Sequence, residues 1–155
     1  MVLRHHFIAL STALCLSLSC LLQASETIES NHAYARATPP GQTNSAAFVT
    51  LTNHTDTALQ LTSAESTVTG SVELHEHQHD NGVMRMRQIS AIDLPAGGQV
   101  SLQPGGYHIM LIGLQQPLIA GSEIGMTLHF SDGSVKNLVM PVQMPGTPQH
   151  KHAHH

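Results

Sequence analysis

Cysteine is almost missing from this chain. Of 155 residues only two are cysteine, and both, Cys15 and Cys20, fall in an apolar N-terminal stretch. From Ser25 onward there is no thiol, which excludes a disulfide scaffold and a thiolate-ligated blue-copper centre. Basic residues are scarce as well. With Arg4 set aside, five Lys and Arg (6 − 1 = 5) face ten Asp and Glu, without any basic run. That balance argues against nucleic acid or an anionic membrane surface as partner. No stretch carries sustained helical periodicity and no segment repeats. The one long apolar run, residues 7–22, falls short of the ~20 residues of a membrane span. Histidine, by contrast, is in excess: 13 residues, more than Lys and Arg together. An imidazole surplus hints at metal before any motif is read.

The N-terminus has a basic start at Arg4, the apolar run, and small residues before the polar stretch that opens at Ser25. That is the pattern of a secretory signal peptide over residues 1–24, cleaved after Ala24, although Leu22 is bulky for the third place upstream of the bond. Ser17-Leu18-Ser19 makes a poor lipobox before Cys20, so lipid attachment is not expected there. An exported, periplasmic protein with no membrane insertion after cleavage is the expectation. Residues 25–144 then form one domain of short apolar runs separated by turn signals, the pattern of an antiparallel β-sandwich or barrel of about nine strands. Strands are expected at 27–36, 46–52, 58–64, 72–77, 83–88, 92–94, 100–102, 108–114, 124–130 and 134–142, with a helical turn conceivable only near 114–118. Asp80-Asn81-Gly82 reads as a hairpin turn. Residues 145–155 read as a flexible, His-rich tail.

Side chains alternate between the two faces of a strand. His75, His77 and His79 therefore share one face, away from Val72 and Leu74. Met84 and Met86 share a face opposite Arg85 and Arg87, and His108 and Met110 point away from Tyr107, Ile109 and Leu111. Singly, each group has a plain explanation: a solvated histidine face, or methionine as core filler. Together they form a soft donor set. Copper(I) accepts imidazole and thioether without strict geometry, and thioether sulfur, unlike thiol, does not form disulfides in an oxidising compartment. Zinc has little use for thioether. The reading is a copper(I) site built from His75, Met86, His108 and Met110, with His77, His79 and Met84 as accessory donors.

The spacing supports that choice. His75 and Met86 are separated by ten residues (86 − 75 = 11), Met86 and His108 by twenty-one (108 − 86 = 22), and His108-Ile109-Met110 closes the set. This resembles the signature of the periplasmic copper chaperones called PCu(A)C. The flanking text resembles the family too: Glu73-Leu74-His75-Glu76, Gly82-Val83-Met84-Arg85-Met86-Arg87, Leu94-Pro95-Ala96-Gly97-Gly98, and Pro104-Gly105-Gly106-Tyr107-His108-Ile109-Met110-Leu111. One departure is His77, where relatives often carry methionine. The resemblance implies a cupredoxin-like β-sandwich or barrel that binds one copper(I) at an exposed site. It implies delivery to the Cu(A) centre of cytochrome oxidase subunit II or to a related assembly factor. Separately, the chain shows no nucleophile or acid/base pair, so it is expected to be a monomeric binding protein and not an enzyme.

In the tail, His150, His152, His154 and His155, with Met144, could capture copper(II). That makes copper sequestration for resistance the main alternative. A mononuclear copper oxidoreductase is a second alternative, disfavoured because Glu76 should face away from His75. His32, His54 and His129 read as solvated or exposed positions rather than ligands.

Overall fold

The computed structural model describes residues 26–146. The leader, its cleavage bond, Cys20 and the tail histidines His150, His152, His154 and His155 lie outside the described residues. Ten strands follow in chain order: β1 (Ile28–Arg36), β2 (Asn44–Asn53), β3 (Leu59–Glu65), β4 (Thr69–Asp80), β5 (Val83–Gln88), β6 (Ile92–Leu94), β7 (Gln99–Leu102), β8 (His108–Leu114), β9 (Glu123–Phe130) and β10 (Val135–Gln143). Their hydrogen-bonded order is β5-β4-β8-β2-β1-β10-β9-β3-β6, with β7 also pairing to β2. Beyond the ladder, β3 packs on β4, and β6 on β2 and β7. The sheet therefore folds back on itself around one core. Among the described residues, no helix is long and apolar enough to cross a membrane.

Alternation builds that core. Val49 and Leu51 from β2, Leu61 from β3, Leu74 from β4, Ile109 and Leu111 from β8, Met126 and Leu128 from β9, and Met140 and Val142 from β10 all point inward and are buried. Two methionines, Met126 and Met140, do fill core space, as thioethers commonly do. Met84 and Met86 do not, for they are 47% and 55% exposed.

Two features depart from expectation. The join between the halves of the sheet is parallel, Ala35 against Val142 and Arg36 against Gln143. A parallel pair needs a long connection between its strands, and here nearly the whole domain serves as one. The segment 114–118 holds no helical turn. Pro117 biases Gln116 away from helical backbone. Thr38 then claims both backbone groups of Leu118: its Oγ1 accepts from the Leu118 amide at 3.0 Å, and its amide donates to the Leu118 carbonyl at 3.0 Å.

Two turns position the site. Asn81 and Gly82 both have positive φ (49° and 81°), the combination that a two-residue hairpin with the native strand twist requires. They lock the β4–β5 register as His75↔Gln88, His77↔Met86 and His79↔Met84. At the start of β8, Pro104 and Gly105 (φ 83°) make the centre of a turn closed by the Gly106 amide donating to the Gln103 carbonyl at 3.0 Å. Proline followed by a positive-φ glycine suits a type II turn.

Candidate metal centre

The β4–β8 register sets His75 directly opposite His108 and Glu73 opposite Met110. Direct cross-strand partners share a face. His75, His77, His108, Met110 and Met86 therefore all stand on one face of the sheet, opposite the core face occupied by Leu74, Ile109 and Leu111. The same face continues across β2 and β1, where Met110 meets Ala46 and Phe48 pairs with Tyr34. His77, Met86, His108 and Met110 line a hollow of about 240 Å³, walled by Arg36, Phe48 and Pro104 among others. His75 sits beside it, its ring 5.6 Å from that of His108.

The imidazoles are held so that each keeps a free nitrogen. Gly106 carries a carbonyl that accepts from His108 Nδ1 at 3.1 Å and from the His77 backbone amide at 3.3 Å. With Nδ1 carrying the proton, Nε2 of His108 keeps its lone pair, and that atom is buried without a hydrogen-bond partner. Glu73 Oε2 lies 2.7 Å from His75 Nε2, so Nε2–H donates to the carboxylate and the buried Nδ1 of His75 is left with its lone pair. His77 Nδ1 is buried and unpartnered as well. Hydrogen bonding at one ring nitrogen leaves the other available to a metal, here Nδ1 of His75 and Nε2 of His108. Of the four such orphan ring nitrogens among the described residues, three are here; the fourth, on His129, lies 3.5 Å from Glu65 on another part of the sheet.

His108 is only 2% exposed. Its ring is 5.0 Å from that of His77 and 6.4 Å from that of Phe48. Burial, which penalises the imidazolium, lowers its pKa below 6.5, and the nearby His77, His75 and Arg36 push the same way against the Gly106 hydrogen bond. The neutral, metal-ready form is thus favoured at neutral pH. Because the folded pKa lies below the unfolded one, the unfolded chain takes up more protons as pH falls through 6.5. The metal-free protein is therefore expected to lose stability below that pH, measured as a falling urea midpoint between pH 7.5 and pH 5. A midpoint that rises with acid would contradict the buried neutral imidazole.

Among the described residues no three His, Cys, Asp or Glu side chains converge as a metal-holding group. The other soft donors on this face are the thioethers of Met86 and Met110. Soft, low-coordinate cations suit that set; zinc and the hard divalent ions do not.

The structure separates the remaining sequence candidates. His79 and Met84 form the second rung from the turn, after Asp80 and Val83, on the same face as His77 and Met86 but outside the hollow. Met144 follows β10 and is 59% exposed. Glu76 does face away from the site, where its Oε1 accepts from Gln78 Nε2 at 2.6 Å. His54 Nε2 lies 2.8 Å from Glu29. Sequence reading overlooked Glu73, although its place two residues before His75 already sets both on one face. It also passed over the Gly106 carbonyl, Phe48 and Arg36, whose guanidinium carbon lies 5.4 Å above the Phe48 ring.

Comparison with known proteins agrees with this architecture. The family described as "Putative lipoprotein LpqE-like" matches residues 28–142. The "Putative lipoprotein Lxx21020" of Leifsonia xyli subsp. xyli is 38% identical over 117 residues, 75% of this chain and 69% of that protein. The "Uncharacterized protein RP573" of Rickettsia prowazekii is 33% identical over 120 residues, 75% of this chain and 66% of that protein. The chain thus spans about two thirds of these relatives' length. Among solved structures, that of copper(I)-bound DR1885 from Deinococcus radiodurans superposes with a TM-score of 0.64 at 32% identity, covering 81% of this chain and 83% of that one. The copper-bound PCuAC domain from PmoF2 gives 0.65 at 25% identity, covering 79% and 97%.

Proposed function

The chain belongs to the LpqE-like family and has the cupredoxin-like fold of PCuAC domains, and from that premise we propose that it is an exported copper(I) carrier. His75 Nδ1, His108 Nε2 and the sulfurs of Met86 and Met110 are the ligands in this reading. The observation that carries it is the pair of imidazoles whose free nitrogens are buried on the face that also bears the two thioethers. The copper named in the two solved relatives supports the same cargo.

The site is graded in exposure, which suits transfer. His108 is buried, whereas Met86 stands on an edge strand and is 55% exposed. A recipient's donors can displace Met86 first and reach the imidazoles afterwards, so that copper(I) passes between proteins without entering water. The proposed recipient is the Cu(A) site of cytochrome oxidase subunit II or a related copper-assembly factor. A set rich in thioether favours copper(I) over cycling between two oxidation states, so the role is carriage rather than catalysis.

The test is a copper(I) titration against a competing chelator, with and without residues 146–155. One tight equivalent should survive removal of the tail and weaken about ten-fold or more in Met86→Ala. Tight binding lost with the tail, with Met86→Ala silent, would move the assignment to sequestration by the His-rich end. The name of the Leifsonia relative supports export and brings Cys20 back as a point of attachment. Mass spectrometry of the processed protein decides between a lipid-modified Cys20 and cleavage after Ala24.

A further inference from the structure

The β4–β5 hairpin carries more soft donors than a four-ligand site uses. On the donor face its outermost rung pairs His79 with Met84. The next rung pairs His77 with Met86, and the rung after that brings His75 to the edge of β8 and His108. Alternate residues on a strand are spaced about 6.5 Å apart, so these three rungs form a file of imidazole and thioether leading from the turn to the buried end of the site. The opposite face of the same hairpin holds Glu76 against Arg87 and Gln78 against Arg85. Charge and soft donors are thus sorted cleanly between faces, and a register slip of one residue would destroy the sorting. The Asn81-Gly82 turn prevents that slip.

Packing does not account for Met84. It is 47% exposed, and β5 is exposed along its whole length. Beside it His79 is exposed too. We propose that His79 and Met84 form a second copper(I) station at the hairpin tip, weaker than the inner site, through which copper reaches and leaves it. The proposal rests on the copper reading above. One nitrogen and one sulfur from directly opposed residues can grip a soft cation that tolerates two ligands, whereas zinc would need four. Copper stays copper(I) throughout. Each step forms one Cu–N or Cu–S bond as another breaks, and no electron is transferred. His77, between the stations, is the donor able to share the ion during the step.

The experiment uses the full chain labelled with 13C at the methionine methyl groups, titrated with copper(I) without oxygen and followed by NMR. The first equivalent should move the Met86 and Met110 methyl signals, and further copper(I) should move that of Met84, assigned with Met84→Leu. Tail histidines cannot imitate that signal. In His79→Asn and Met84→Leu the affinity for the first equivalent should hold, while exchange of bound copper with a chelator slows several-fold. A Met84 signal that stays still in excess copper(I) overturns the station, and unchanged exchange in both variants overturns its role in transfer. Should Met84 respond while Met86 and Met110 do not, the inner site fails and the tip station stands.

Discussion

Replacing His108 by alanine is expected to lower copper(I) affinity by at least about a hundred-fold, beyond what loss of a supporting residue costs. His108 is the buried donor of the set, with Nδ1 fixed on the Gly106 carbonyl and Nε2 left without a partner. The rings of Phe48, His75 and His77 pack beside it, with centroids 6.4, 5.6 and 5.0 Å away. A chelator competition at pH 7.5 measures the change, with His129→Ala on another part of the sheet as control. The same variant should also lose part of the acid sensitivity of the metal-free protein, since a buried imidazole kept neutral at a cost below pH 6.5 has been removed. Near-normal affinity in His108→Ala would remove the buried imidazole from the site.

The second large effect lies one residue along, on the other side of the strand. Ile109→Ala should destabilise the domain by about 2–5 kcal/mol, because Ile109 is fully buried and pairs with Leu74 on one flank and Ala47 on the other. Its neighbours His108 and Met110 face the hollow, so β8 is gripped on one side and presents donors on the other. Thermal unfolding gives the first readout. Copper affinity measured well below the melting temperature should fall much less than in His108→Ala. A loss of metal binding in proportion to the loss of stability would mean that the site and the core are one unit.

Much of this arrangement is legible in the chain itself. Alternation alone puts His75 with His77, Met84 with Met86, and His108 with Met110, and the Asn-Gly turn fixes which histidine meets which methionine. The depth of the site is not legible. His108 looks like any outward strand residue in sequence, and it is buried because Phe48, some sixty residues earlier (108 − 48 = 60), lies on the same face. The choice of ring nitrogen is likewise hidden, for it depends on a carbonyl direction set by the Pro104-Gly105 turn. Glu73 is a different case: the alternation rule already placed it beside His75, but no sequence pattern marked its carboxylate as the partner of that ring.

The parallel join of β1 to β10 determines when the molecule can close. Ala35 must find Val142, 107 residues away (142 − 35 = 107), and contacts of such separation form late because chain entropy is lost before they stabilise anything. Until the last strand has joined, β1 has only β2 beside it and its other edge is open, a surface that invites pairing with another chain. The hairpin and β8, which carry the donor file, have their sheet neighbours earlier. A chain folding after export can therefore assemble its metal-binding half before the parallel join closes, and is then open at once to soft metal and to aggregation.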